Sequence, residues 1–186
     1  MGSPQPDRAT RGKQVLGPDD IARSLTRIAY EIIERNDGAD GLVIAGIPTR
    51  GATLARRLVE RIGQVGGART QYASIDTTMF RDDLRAQPLR PPHRTEIPES
   101  GIDGRPVVLV DDVLYTGRTV KAALDALGMT GRPSRVQLAG LVDRGHRELP
   151  IRPDYVGKNL PTSRSETVTI LLDETDGADA VLLGVR

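Results

Sequence analysis

A chain of 186 residues with 38% apolar and 27% charged side chains is long enough for one core and too apolar for a disordered polymer. Its 26 basic and 25 acidic residues leave a net charge of only +1, so any polyanion binding has to come from local clusters. Cysteine is absent, which excludes a disulfide framework and thiolate metal sites, and the longest apolar runs are far too short to cross a bilayer. A cytoplasmic location without a membrane partner is expected.

Residues 1–17 carry Pro4, Pro6, Arg8, Arg11 and Lys13 with few apolar side chains, unlike a signal peptide. They are expected to form a mobile basic tail ahead of a single domain at 18–186. Pro18, Asp19 and Asp20 suit a helix start, and Ile21, Leu25, Ile28, Ile32 and Ile33 recur at helical spacing until Asn36-Asp37-Gly38. Residues 42–45 read as a short strand ending at Gly46, and 52–62 as a helix closed by Gly63. Residues 70–77 alternate like a strand. The stretch 81–100, with four prolines, reads as a long loop whose Arg81, Arg85, Arg90, His93 and Arg94 suit a lid over a polyphosphate.

Residues 107–110 have the continuous apolar character of a buried strand, 120–127 read as a helix closed by Gly128, and 136–142 as another strand. Strands alternating with helices imply an α/β fold: a mainly parallel sheet flanked by helices, with ligands beyond the carboxyl ends of the strands. Residues 167–172 and 180–185 then read as a closing C-terminal β-hairpin turning at Asp176-Gly177.

The chemistry concentrates in Val107-Val108-Leu109-Val110-Asp111-Asp112-Val113-Leu114-Tyr115-Thr116-Gly117-Arg118-Thr119. Backbone amides at a helix start, with the Thr116 and Thr119 hydroxyls, suit a phosphate monoester, and Gly117 permits close approach. Asp111 and Asp112, expected at the surface, are placed to accept hydrogen bonds from neighbouring ribose hydroxyls or to help hold a hydrated Mg²⁺. Phosphate and vicinal diol together specify a ribose phosphate. Ile47-Pro48-Thr49-Arg50-Gly51, at another strand-to-helix junction, offers backbone donors, a hydroxyl and a guanidinium fork for a diphosphate.

The thirteen-residue segment resembles the binding motif for 5-phosphoribosyl 1-pyrophosphate (PRPP) of type I phosphoribosyltransferases. The similarity extends through residues 47–51, 75–83, 107–119 and 141–165 to the PyrR proteins, pyrimidine-operon regulators that also have uracil phosphoribosyltransferase activity. Most diagnostic are Asp143-Arg144-Gly145-His146-Arg147-Glu148-Leu149-Pro150-Ile151-Arg152, Tyr155-Val156-Gly157-Lys158-Asn159 and Pro161-Thr162-Ser163. Two departures are Tyr30, where the family usually has histidine, and Thr77-Thr78-Met79-Phe80 before Arg81, where it has Ile-Thr-Leu-Tyr.

The resemblance implies a type I phosphoribosyltransferase fold and formation of UMP and pyrophosphate from uracil and PRPP. It implies Asp111, Asp112 and Arg50 as catalytic groups, and PRPP contacts from Thr49, Arg50, Asp111, Asp112, Val113, Leu114, Tyr115, Thr116, Gly117, Arg118 and Thr119. Uracil would be read at Arg144 and Gly145 through the backbone, and Mg²⁺ would be bound mainly through PRPP or pyrophosphate. It further implies regulation through UMP or UTP and a leader mRNA of pyrimidine genes, contacted by Thr26, Arg27, His146, Arg147, Arg152 and Lys158, in a homodimer or higher homo-oligomer. The alternative is the same enzyme without RNA regulation.

Overall fold

The computed structural model describes residues 12–67, 69–81 and 94–185. Its first strand, β1 (Lys13–Leu16), lies within the segment expected to be tail, and the rest of that segment, residues 1–11, lies outside the described residues. β1 pairs antiparallel with the last strand, β8 (Ala180–Val185), and buries Leu16. A strand of four residues paired with a terminal strand leaves almost no periodic signal, which is why composition alone assigned it to the tail.

Helix α1 (Pro18–Arg35) starts as the sequence predicts: Pro18 occupies its first turn and the Asp20 carboxylate accepts the Gly17 amide at 3.0 Å. Ile21, Leu25, Ile28, Ala29 and Ile32 form its buried stripe. Strand β2 (Val43–Gly46), helix α2 (Arg50–Gly66) and strand β3 (Gln71–Ser74) follow. β3 stops at Ser74, short of the 70–77 expected as strand, and a short 3-10 turn follows at Thr78–Phe80. Then come β4 (Pro106–Leu114), α3 (Arg118–Thr130), β5 (Arg135–Asp143) and β6 (Tyr155–Asn159). The last of these coincides with the family motif Tyr155-Val156-Gly157-Lys158-Asn159, where no strand is expected from the sequence.

These strands make a five-stranded parallel sheet in the order β3-β2-β4-β5-β6. Alternation along the central strands divides the core in two. Ile44, Val108 and Val110 face the side covered by α1 and α2, whereas Val43, Ala45, Val107 and Leu109 face the side covered by α3. Each fully buried aliphatic side chain contributes about 1.5–3 kcal/mol relative to exposure, so two continuous faces hold the central strands firmly.

The predicted C-terminal hairpin is present as β7 (Glu166–Leu171) and β8, joined through a helical turn, α4 (Asp173–Asp176), capped by Gly177 in the left-handed region at φ 75°. With β1 it forms a separate three-stranded sheet, β1-β8-β7, whose Leu16, Ile170 and Val181 join the core under α1 and α2. This packing brings α4 against α2, with consequences for the site. Among the described residues no helix is long and apolar enough to cross a membrane.

Candidate active site

Strand β4 runs beyond the acidic pair instead of stopping at Val110. Its ladder continues with Asp111 opposite Gly140, Val113 opposite Val142 and Leu114 opposite Asp143. Gly140 leaves room for the Leu114 side chain, since a Cβ there would stand 2.5 Å from the Leu114 Cδ1. Val113 and Leu114, expected to touch PRPP from a loop, are therefore strand residues, and Leu114 is a core side chain. The loop proper is Tyr115-Thr116-Gly117.

Asp111 is buried, contrary to the expected surface position, while Asp112 is half-buried. The Asp111 carboxylate accepts the Asp112 amide at 3.0 Å and that of Asp112 accepts the Val113 amide at 2.7 Å. Burial, followed by repulsion from Asp112, pushes Asp111 well above the ordinary carboxylate value, with Arg81 acting in the opposite direction. Burial also raises Asp112, partly offset by the Val113 amide and Arg50. Of the basic residues of the proposed lid, Arg81 is thus within electrostatic reach of Asp111. Arg94 is also described, whereas Arg85, Arg90 and His93 lie outside the described residues.

Gly117 sits at φ 95° immediately before α3 and its carbonyl accepts the Lys121 amide at 2.9 Å. Space is not what demands glycine, for a Cβ would make ordinary contacts of 3.4 and 3.5 Å with Leu149 and Ile151; the left-handed backbone does. The Thr116 carbonyl accepts the amides of Glu148 and Leu149, and Arg118 ion-pairs with Glu148 at 2.9 Å on the surface. The first turn of α3, including Thr119, opens directly from this loop, and the Arg118 amide that begins it donates to the Thr116 hydroxyl at 3.4 Å.

The 47–51 loop meets the acidic pair across neighbouring strand ends. Ile47 donates its amide to the Val110 carbonyl at 2.9 Å, Thr49 precedes α2, and Arg50 is its first residue. Gly46 and Gly51 permit the close crossing: a Cβ on Gly46 would lie 2.4 Å from the Ala52 Cα, and one on Gly51 2.5 Å from the Val110 carbonyl oxygen. Arg50 donates through Nε and Nη2 to the two carboxylate oxygens of Asp176 at 3.1 and 2.7 Å. Asp176, expected only as a hairpin-turn residue, thus reaches the loop at 47–51.

The segment after β5 is stitched rather than open. The Arg144 amide donates to the Leu114 carbonyl at 3.1 Å and the Gly145 amide to the Asp143 carboxylate at 2.9 Å. Both amides expected to read a base are thus engaged within the chain. The buried Arg144 guanidinium donates to the Thr162 hydroxyl and to the carbonyls of Ser163 and Glu166, and lies 4.1 Å from the Tyr115 ring centroid. Gly145 and His146 both adopt positive φ, 77° and 62°; for His146 that costs about 1–3 kcal/mol, against which its Nε2 donates to the Thr162 carbonyl at 2.6 Å. A cavity of about 370 Å³ opens between Asp143–Arg144–Gly145–His146 and Asn159, Pro161 and Thr162. Thr162 belongs to the Pro161-Thr162-Ser163 motif, but its structural role depends on a contact across 18 residues.

The residues expected to face RNA separate into two groups. Thr26 and Arg27 lie on α1, where Thr26 accepts a hydrogen bond from Arg61 and Arg27 reaches the carbonyls of Val156 and Gly157 on β6, the strand that carries exposed Lys158. In the other group Arg152 is exposed, but Arg147 donates to the Tyr115 and Ile151 carbonyls and to Asp143, at 2.7, 3.0 and 2.8 Å. Arg147 is a strut between the Tyr115–Gly117 loop and the segment after β5.

Residues 13–173 match the phosphoribosyl transferase domain family. The chain is 62% identical to the bifunctional protein PyrR of Streptomyces coelicolor, over 98% of this chain and 94% of that one. It is 56% identical to the bifunctional protein PyrR of Deinococcus radiodurans, over 91% and 92%. Among solved structures, a hypoxanthine phosphoribosyltransferase from Trypanosoma cruzi superposes with a TM-score of 0.69 at 17% identity, covering 94% of this chain and 96% of that one. A hypoxanthine-guanine phosphoribosyltransferase from Bacillus anthracis gives 0.66 at 18% identity, covering 95% and 99%. At such identities the structural likeness establishes the type I phosphoribosyltransferase fold, and the closer sequence matches establish the lineage: the chain belongs to the phosphoribosyl transferase domain family and, within it, to the bifunctional PyrR proteins.

Proposed function

We propose that this chain transfers the 5-phosphoribosyl group of PRPP to uracil, forming UMP and pyrophosphate, and that the same site lets uridine nucleotides control binding to a pyrimidine-gene leader RNA. The observation that carries the enzymatic reading is the convergence of three elements at the carboxyl ends of neighbouring parallel strands. These are the Tyr115–Gly117 loop opening into α3, the Asp111-Asp112 pair, and the 47–51 loop held by the Ile47 amide on Val110. A phosphate monoester, a ribose diol and a diphosphate would meet these three in one substrate.

In the reaction the bond between ribose C1 and the diphosphate oxygen breaks as a uracil ring nitrogen bonds to C1 and gives up its proton to the pyrophosphate or to solvent, through a transition state with oxocarbenium character. Thr116, Gly117 and Thr119 would hold the 5-phosphate, and Asp111 and Asp112 the ribose hydroxyls. Arg50 and the 47–51 backbone would stabilise the departing negative charge. Asp111 and Asp112 can contribute to a hydrated divalent cation, but no cluster of three or more potential ligands occurs among the described residues. Such a site fits Mg²⁺ held mainly by PRPP or pyrophosphate oxygens, where it would offset charge on the leaving group. Uracil would sit by the cavity bordered by Arg144 and Gly145, read by backbone groups other than the two engaged amides.

Incubating the protein with PRPP, Mg²⁺ and each nucleobase tests the assignment. UMP formation is expected; transfer to hypoxanthine, guanine or orotate with none to uracil overturns it. For RNA, exposed Arg152 and Lys158, with Thr26 and Arg27, are the leading phosphate contacts, and His146 and Arg147 would act through the loop they order. UMP is expected to tighten binding of the leader RNA over an unrelated hairpin, and equal binding of both, unmoved by UMP, leaves the enzyme alone. Self-association into a homodimer or larger assembly is part of the proposal and is read by sedimentation.

A further inference from the structure

The ion pairs joining α2 to α4 fall into two sets. Arg57 bridges Glu174 and Asp179, with four hydrogen bonds of 2.6–2.8 Å, and serves as the mechanical anchor of the turn. Arg50, two helical turns earlier, is gripped, among the described residues, by Asp176, and Asp176 is itself fixed by the Leu172 amide at 2.9 Å. The Arg50 and Asp176 side chains are 31% and 17% exposed.

A cation at the first position of a helix opposes the macrodipole, and the first turn of α2 contains no acidic residue. Negative charge from elsewhere therefore has to hold Arg50 there. Asp176 supplies it in a side-on, two-point grip that uses Nε and one hydrogen of Nη2. A guanidinium carries five N–H donors in one plane, so this grip sets the plane and leaves the edge formed by Nη1 and the second Nη2 hydrogen unclaimed by Asp176. Arg50 lies at the junction where the 47–51 loop crosses β4, and it acts electrostatically on Asp112.

We infer that Asp176 is a positioning residue for the proposed transfer, orienting Arg50 so that its remaining edge meets the diphosphate of PRPP. This rests on the reading of Arg50 as a diphosphate contact. The carboxylate would touch neither substrate nor reacting atoms; it would limit the rotamers of a long side chain, so that less freedom is lost when the diphosphate binds.

The test uses the full chain with PRPP, uracil and Mg²⁺, and pyrophosphate as product inhibitor. Asp176→Asn is expected to raise the KM for PRPP and the inhibition constant for pyrophosphate about tenfold, with the KM for uracil unchanged. Asp176→Glu restores part of the loss. Arg50→Lys, which keeps the charge but cannot make the two-point grip, reproduces the Asp176→Asn pattern and serves if that variant folds poorly. In an Arg50→Gln background, Asp176→Asn has no further effect, and Glu174→Gln, which loosens only the Arg57 anchor, leaves PRPP and pyrophosphate affinity in place. Additive losses, or equal losses from Glu174→Gln, overturn the inference while the role of Arg50 stands. If Arg50→Gln alone leaves PRPP and pyrophosphate affinity unaltered, the underlying reading of Arg50 fails and the inference fails with it.

Discussion

Gly51 lies against Asp111 so closely that a Cβ at residue 51 would stand 3.3 Å from the Asp111 Cα and 2.5 Å from the preceding carbonyl oxygen. Both neighbours are backbone of the central strand and cannot rotate aside. Gly51→Ala is therefore expected to shift the 47–51 loop, at an overpacking cost of about 1–3 kcal/mol. A displacement of about 1 Å in a substrate-positioning element lowers transfer on the order of 100-fold. Thermal melts and UMP formation at saturating uracil read the two effects, and unchanged activity would show that the loop does not position substrate.

Burial of Asp111 beside Asp112 gives the pair an intrinsic cost. The folded state raises both carboxylates, Asp111 most through burial, so as pH rises past their unfolded values the folded state holds protons that the unfolded chain releases, and stability falls. Replacing both by Asn keeps the oxygen acceptors for the Asp112 and Val113 amides and removes the charge. The double variant is expected to melt higher at neutral pH, by about 2–4 °C per kcal/mol recovered, while transfer is lost. A folded double variant with full activity would remove the ribose-binding role.

The acidic turn behaves oppositely. The Arg57 hydrogen bond holds Asp179 below its ordinary value of 3.8, and the same guanidinium lowers Glu174 from 4.5. Groups lowered by folding stabilise the protein above their unfolded values, and that stabilisation is lost as pH falls through the lower folded values. Arg57→Gln is expected to cost about 1–3 kcal/mol at neutral pH, less where exposed Glu174 is screened, and to flatten the acid limb below about pH 4. Denaturant midpoints from pH 7 to 3 measure both, and a parallel offset at every pH would contradict the ion-pair account.

Arg147 has three interactions within the chain, so its removal is expected to act on stability before it acts on any partner. Arg147→Ala should lower stability by about 1–3 kcal/mol, because the Tyr115 and Ile151 carbonyls and Asp143 lose a charged donor. Arg152→Ala and Lys158→Ala, at exposed positions, should leave the melting temperature nearly unaltered and reduce the salt dependence of leader-RNA binding by about one phosphate contact each. Equal RNA affinity in all three variants at every salt concentration would remove this surface from the RNA proposal.

What the sequence determined by itself is local in character. The apolar run before Asp111, the loop-to-helix junction at Gly117, the helical stripe of α1 and the alternation of strand and helix all depend on neighbours within a few residues, where spacing and rotamer chemistry decide. The motif segments from Asp143 to Ser163 were legible as belonging to one lineage. Tertiary structure decided the rest, because long cationic side chains select partners through space. Arg50 finds Asp176 across 126 residues and Arg147 finds the Tyr115 carbonyl across 32. The short strands β1 and β6 likewise owe their existence to pairing with β8 and β5, since a strand of four or five residues has no stability of its own without the ladder and core that receive it.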